Sequence, residues 1–246
     1  MSVQSNNRSR KSPPVTRGAA FYDLDGTLTD LNLLHTAAFF ASNLAQWGGR
    51  LNYVFGLVGR LPRIMMAEMR DRHLLNVTLF ESFKGISRDR LELLGDEYAE
   101  RYLAPRLYPQ ALEIIERNRE IGFEPVLVSG SPDFVILPLC RRLKIASFAA
   151  NQLMYFRNHA TGQLREPVMA GQEKTAWCID YAAERGINLA QCWGYADSHY
   201  DLPFLTALGH PVAVNPDRRL EASARSRQWP IVRFARAGSN GGGASR

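Results

Sequence analysis

The sequence predicts an α/β fold: a Rossmann-like, doubly wound parallel sheet with an all-helical insert after its first strand. Three observations carry that reading. From residue 109 onward, short apolar runs bounded by Gly, Pro and Asp alternate with helix-period segments. One further apolar run, Gly18-Ala19-Ala20-Phe21-Tyr22, stands near the start and reads as a buried strand. Between the two lies the stretch 31–105, with helical periodicity and hardly a strand signal.

Within that stretch, LNLLHTAAFFASNLAQW (31–47), the residues 51–70, RHLLNVTLFESF (72–83) and SRDRLELLGDEYAERYL (87–103) predict about four helices. Gly48-Gly49 and Gly85 punctuate them, and Ser87 followed by Asp89 resembles a helix start. Met65, Met66 and Met69 read as core filling. Pro109 opens the next helix, which Gly122 closes. FEPVLVSG (123–130) reads as a buried strand, and SPDFVILPLCRRL (131–143) as a helix with Ser131 as N-cap and Pro132 at its first position. There follow a strand-like FAANQLMYF (148–156), an exposed turn around Asn158 to Gly162, and the helix EKTAWCIDYAAER (173–185). Strand QCWGYA, helix DLPFLTAL ended by Gly209, strand HPVAVN, a helix over 218–227 and a strand in PIVRF complete the chain. The implied division is an α/β core of 18–30 and 106–236, a helical cap of 31–105, and flexible tails at 1–17 and 237–246.

The net charge of +6 sits at the ends. Residues 1–22 carry four basic side chains and no acid, and residues 217–246 carry seven basic and two acidic, leaving −3 for the body between them. By charge alone the body is therefore not a nucleic-acid-binding surface. The polar, basic opening reads as a flexible tail; it shares the composition of a transit peptide without an amphipathic pattern, and it lacks the apolar run of a secretory signal. No stretch reaches the ~18 apolar residues of a membrane span; LNYVFGLVGRLPRIMM (51–66) is interrupted by Arg60, Pro62 and Arg63. Cys140, Cys178 and Cys192 lie in apolar segments without metal-like spacing, as buried thiols in a reducing cytoplasm do.

FYDLDGTLTD (21–30) poses a chemical question, because residues i and i+2 of a strand face one side, so Asp23 and Asp25 leave the strand facing one space. Two carboxylates that close repel unless a cation lies between them or one is protonated. Ligands of an open parallel sheet bind beyond the carboxyl ends of its strands. Further polar residues reach that rim: Ser129 and Gly130 beside a helix N-terminus, Lys174 at the start of a helix, and Asp197 and Asp201 after QCWGYA. Four carboxylates, one lysine and one hydroxyl suggest a hard divalent cation, Mg²⁺, plus a phosphate, with an aspartate able to act as nucleophile. Singly, each has a plainer reading: Ser129 as a turn residue, Lys174 as an exposed helix lysine, Asp201 as an N-cap. His199 reads as a loop residue lining the entrance; His35, His73, His159 and His210 read as structural. Arg60, Arg63, Arg70 and Arg72 form either a solvated face or, in a cap that closes over the site, a reader of an anionic substrate.

The ordered set DLDGT, the serine of LVSGS, Lys174, and Asp197 with Asp201 resembles the haloacid dehalogenase superfamily over residues 18 to 235. GHPVAVNPD followed by WPI is similar to its phosphoserine-phosphatase branch, which carries a helical cap after the first motif. The resemblance implies that Asp23 attacks phosphorus and ligates Mg²⁺. Asp25 protonates the leaving alkoxide, deprotonates the hydrolytic water, and offers its backbone carbonyl to the metal. Ser129, with Gly130, and Lys174 hold phosphoryl oxygens; Asp197 ligates the metal, and Asp201 supports it through water or orients Lys174. The activity implied is hydrolysis of a small phosphorylated metabolite, with transfer to another alcohol, or a non-catalytic binding module on the same fold, as alternatives. Three departures point away from phosphoserine itself: Asn32 where the branch has a glutamate nine residues after the nucleophile, Tyr200 where it has asparagine, and DGT where it often has DST. Asn32→Ala is accordingly expected to change substrate preference more than turnover. Amino-alcohol, sugar or polyol and lysophospholipid-type phosphates remain as candidates.

Overall fold

A computed structural model describes residues 17–44 and 72–235. Its elements begin with β1 (Gly18–Tyr22), α1 (Leu33–Leu44), α2 (Arg72–Phe80), α3 (Arg88–Tyr98) and α4 (Pro109–Glu120). Next come β2 (Phe123–Pro132), α5 (Asp133–Leu143), β3 (Ser147–Asn151), β4 (Leu153–Phe156), β5 (His159–Leu164) and α6 (Gln172–Arg185). The last are β6 (Trp193–Ala196), α7 (Leu202–Thr206), β7 (His210–Val214), α8 (Arg218–Ser226) and β8 (Ile231–Val232). Six strands form one parallel sheet in the order β3-β2-β1-β6-β7-β8. The chain builds outward from β1 through β2 and β3, then returns to the other side of β1 as β6. The strand order therefore reverses between β1 and β6, which opens a crevice at their carboxyl ends.

Strand alternation assigns the two cores. In β1, Ala20 and Tyr22 pack with Leu127, Ile115 and Leu139 on the α4–α5 face. Ala19 and Phe21 pack with Tyr181, Phe204 and Leu220 on the face of α6, α7 and α8. Phe21 meets the rings of Tyr181 and Phe204 edge-on, at 5.8 and 6.5 Å between centroids. Each fully buried ring or leucine of this kind contributes about 1.5–3 kcal/mol.

The helices of the insert rest on the α5 side of the sheet. Phe40 of α1, Phe83 just after α2 and Phe134 of α5 form a triangle of edge-to-face rings 5.3–5.6 Å apart. Gly95 lets α3 approach α5 closely: a Cβ there would lie 2.0 Å from the Phe134 carbonyl oxygen. The periodic run 87–103 does not stay α-helical throughout; after α3 it widens into a π turn (Ala99–Leu103) and tightens into a 3₁₀ turn (Ala104–Arg106). The 72–83 run likewise ends in a 3₁₀ turn, Glu81–Phe83.

Two expectations near the third strand need correction. FAANQLMYF is not one strand: β3 joins the main sheet, and after Gln152 the chain turns off as β4 of an antiparallel hairpin with β5. The turn is tighter than Asn158 to Gly162, because Arg157 and Asn158 both take positive φ, 46° and 63°, and strand pairing resumes at His159. The hairpin's β5 edge is tied to the insert by the Gly85 N–H to Ala160 O and Ala160 N–H to Ile86 O bonds, at 2.7 and 2.8 Å. The three cysteines are free and buried, as expected. Among the described residues no helix is long and apolar enough to cross a membrane. Residues 1–16 and 236–246, the 45–71 stretch and the side chains of its methionines and arginines, with that of Arg72, lie outside the described residues.

Candidate active site

Asp23 is held one residue past β1 by its own N–H, which donates to the Tyr195 carbonyl of β6 at 2.9 Å. Its position continues the odd-numbered parity of Ala19 and Phe21, toward the α6 layer, and there Lys174 Nζ donates to Asp23 Oδ1 at 2.6 Å. The same ammonium reaches Asp201 Oδ1 at 2.9 Å. Asp201 stands at the N-cap position of α7 but makes no side-chain cap bond; its carboxylate serves Lys174. Thr27 Oγ1 lies within reach of Asp23 Oδ2, at 3.3 Å, and of Asp197 Oδ1, at 3.2 Å. Gly26, at φ +83°, makes room for Asp197: a Cβ there would lie 2.2 Å from Asp197 Oδ2. One carboxylate oxygen each from Asp23, Asp197 and Asp201 falls within 4.8 Å of the others. An all-oxygen set of this kind suits a hard divalent cation.

The charges support that fit. Lys174 and Asp23 are both buried, at 5% exposure. Burial pushes the Asp23 carboxyl up to about 7; Lys174 opposes this, while Asp201 and Asp25 push the same way. For Lys174 burial works against the charged form, but Asp201 and Asp23 outweigh it and hold the ammonium above its ordinary range. Both partners of the ion pair thus move upward, Asp23 chiefly through burial with Asp201 and Asp25 adding to it, and Lys174 through the two carboxylates it serves. The surplus negative charge is what a divalent cation offsets.

The end of β2 differs from the sequence expectation. The strand runs through Pro132, which takes the N-cap position of α5, so Ser131 is not the cap. Pairing with β3 jumps from Val128↔Ala149 to Pro132↔Asn151, so β2 carries two extra residues in a bulge over Ser129, Gly130 and Ser131. The Ser131 N–H donates to Ser129 Oγ at 3.0 Å. The Ser131 hydroxyl donates to Asp25 Oδ2 at 2.7 Å. Ser129 itself is fully buried and does not line the cleft, whereas Gly130 does. Asn151 braces the bulge from β3: its Nδ2 donates to Gly130 O at 2.8 Å and its Oδ1 accepts from the Met169 N–H at 2.7 Å.

The cleft over these groups holds about 40 Å³ of water-accessible space, room for roughly three waters. Asp23, Asp25, Lys174, Asp197 and Asp201 line it, with Leu33, Asn76, Met169 and Tyr200 among its walls. Asn32 is not on the wall. Its Oδ1 accepts from the His35 N–H at 3.2 Å, capping α1, and it meets His35 Nδ1 at 2.6 Å. His199 also misses the cleft, which its neighbours Ser198 and Tyr200 line; its N–H donates to Asp217 Oδ2 at 2.7 Å. His159 bonds the Arg157 carbonyl and His210 stacks on Trp193, both structural contacts. Sequence reasoning missed Thr27, Ser131, Asn151 and Asn76. Thr27 and Ser131 sit inside quoted motifs, so the motifs held a signal; Asn76 and Asn151 are placed by tertiary packing alone.

Comparison with known proteins agrees with this geometry. The haloacid dehalogenase-like hydrolase family matches residues 20–206. A probable phosphatase of Mycobacterium tuberculosis is 30% identical over 251 residues, covering 96% of this chain and 85% of that protein. A phosphoserine phosphatase of the same organism is 28% identical over 92% of this chain and 74% of its own length. Among solved structures, a protein of unknown function from Bordetella pertussis superposes with a TM-score of 0.75 at 24% identity, over 88% of this chain and 98% of that one. The chain therefore belongs to the haloacid dehalogenase-like hydrolase family, in its phosphoserine-phosphatase-like branch, and is an enzyme of the phosphatase class.

Proposed function

We propose that this protein is a Mg²⁺-dependent phosphomonoester hydrolase that acts on a small phosphorylated metabolite through a phosphorylated Asp23. The observation that carries the reading is the convergence of Asp23, Asp197 and Asp201 oxygens within 4.8 Å, with Lys174 bonded to Asp23 and Asp201, at the carboxyl ends of β1 and β6. Asp23, Asp197 and the Asp25 backbone carbonyl would hold Mg²⁺, with Asp201 in support, and the ion would neutralise charge on the phosphoryl oxygens.

Asp23 Oδ attacks phosphorus as the ester P–O bond breaks, and the Asp25 carboxyl delivers its proton to the departing oxygen. Asp25, now a carboxylate, takes a proton from water, whose oxygen attacks phosphorus, releasing phosphate and restoring Asp23. Lys174 offsets charge on the phosphoryl group, and Gly130 at the bulge, with Ser129 behind it, shapes the phosphate seat. The segment 31–105 acts as the cap and 18–30 with 106–236 as the core. Within that cap, Gly95 lets α3 pack closely on α5 of the core. Three buried free thiols fit a cytoplasmic setting.

The test is phosphate release from a panel of alkyl, aryl, amino-alcohol and sugar phosphates, with Mg²⁺ and with chelator, for the wild type and Asp23→Asn. Mg²⁺-dependent release that Asp23→Asn abolishes supports the reading. Equal release in chelator, or by Asp23→Asn, overturns it.

A further inference from the structure

We infer that Ser131 is a positioning residue for the acid–base carboxylate, an inference that rests on the phosphatase reading above. Three features converge on it. Ser131 is fully buried, yet its hydroxyl is directed at Asp25 Oδ2, 2.7 Å away, on a residue that lines the cleft. A buried hydroxyl bonded to a cleft carboxylate orients it, because losing the bond frees a side chain with two soft torsions. The backbone is bent to deliver that hydroxyl. The two-residue bulge in β2 breaks the ladder, and Ser129 Oγ accepts the N–H of Ser131 at 3.0 Å, so that donor is not left unpaired. The bulge is braced from outside by Asn151, whose amide holds the Gly130 carbonyl and the Met169 N–H.

The chemical consequence is specific. With the serine donating to Oδ2, the proton that Asp25 gives away resides on Oδ1, and the two oxygens are no longer equivalent. In the first half-reaction the Asp23–phosphorus bond forms, the phosphorus–ester oxygen bond breaks, and the Oδ1 proton moves to the departing oxygen. That transfer matters where the leaving group is a poor one, an alkoxide, and little where it is a phenolate that departs without protonation. Ser131 therefore tunes the enzyme toward aliphatic phosphate esters.

The experiment compares kcat/KM for an alkyl and an aryl phosphomonoester in the wild type, Ser131→Ala, Asp25→Asn and the double variant. Since kcat/KM reports steps up to the first irreversible one, it isolates transfer to Asp23. Ser131→Ala is expected to lose roughly 10- to 100-fold on the alkyl ester, a share of what general acid catalysis supplies, and less than about threefold on the aryl ester. In the Asp25→Asn background the same substitution is expected to add almost nothing on the alkyl ester, because the residue acts through Asp25. Equal loss on both esters, or a loss that adds in full to that of Asp25→Asn, overturns the inference and leaves Ser131 a structural residue. Ser131→Gly, which also lacks the hydroxyl and adds no bulk, replaces Ser131→Ala if that variant does not fold. A wild type inactive on both esters refutes the phosphatase reading instead.

Discussion

Replacing Gly26 by alanine tests how tightly the two halves of the site are pressed together. The added Cβ would lie 2.2 Å from Asp197 Oδ2 and 2.6 Å from its Cγ, where ordinary contact begins near 3.4 Å. The Asp197 carboxylate must therefore shift by about 1.2 Å along that line, which disturbs its 3.2 Å contact with Thr27 and the cluster it forms with Asp23 and Asp201. A displacement of about 1 Å at a reacting centre costs on the order of 100-fold in rate. Separately, φ of +83° costs an L-residue about 1–2 kcal/mol, which lowers the melting temperature of a chain this size by roughly 2–8 °C. Gly26→Ala is thus expected to lose about 100-fold in kcat/KM and at least about tenfold in divalent-cation affinity, read from the cation dependence of thermal unfolding. A variant that melts lower but keeps wild-type turnover and cation affinity would refute the claim that this close approach sets Asp197.

Further expectations follow from the same contacts. Lys174→Met leaves Asp23 and Asp201 buried without their cation, so the metal-free protein should lose about 3–5 kcal/mol in chemical denaturation, part of it restored by Mg²⁺; unchanged stability would contradict the pairing. The Asp23 carboxyl, pushed up to about 7 from an ordinary 3.8, keeps more protons in the folded metal-free protein than in the unfolded chain between those values. Stability in chelator should accordingly fall as pH rises through about 7, and Asp23→Asn should flatten that slope; parallel melting profiles at pH 5 and 8 would count against it. Asn32→Ala should cost about 1 kcal/mol as a lost α1 cap and leave substrate preference unchanged, the reverse of what its motif position suggests. A shift in the substrate ranking would show that Asn32 reaches substrate after all.

The parts of the fold and site that were legible in the sequence are those governed by local rules. Strand parity and a glycine after an aspartate pair place Asp23 and Asp25 at a strand end, and the helix-period run beginning at Glu173 places Lys174 on its first turn. What was not legible depends on contacts between distant segments. Ser131-Pro132 has the composition of a helix start, but the bulge against β3 takes up those residues and moves the cap to Pro132. Gln152, with no Gly or Pro beside it, gave no sign that FAANQLMYF divides between a sheet and a hairpin. Asn32 occupies a position where the family resemblance implies substrate contact, yet it stands just before α1 and three residues before His35, whose N–H claims its side chain as a cap. Asn76 reaches the cleft only because α2 lies over Gly130, with its amide nitrogen 3.1 Å from where a Cβ on that glycine would be.

The central claim is that Asp23 carries the phosphoryl group, and trapping that group tests it most directly. Wild-type enzyme turning over its best ester with Mg²⁺ is quenched in acid and reduced with borohydride, which converts an aspartyl phosphate to homoserine. Peptide mass spectrometry is expected to find homoserine at position 23, dependent on substrate and on Mg²⁺. Rapid phosphate release with position 23 recovered only as aspartate, or with homoserine at another residue, would contradict the account.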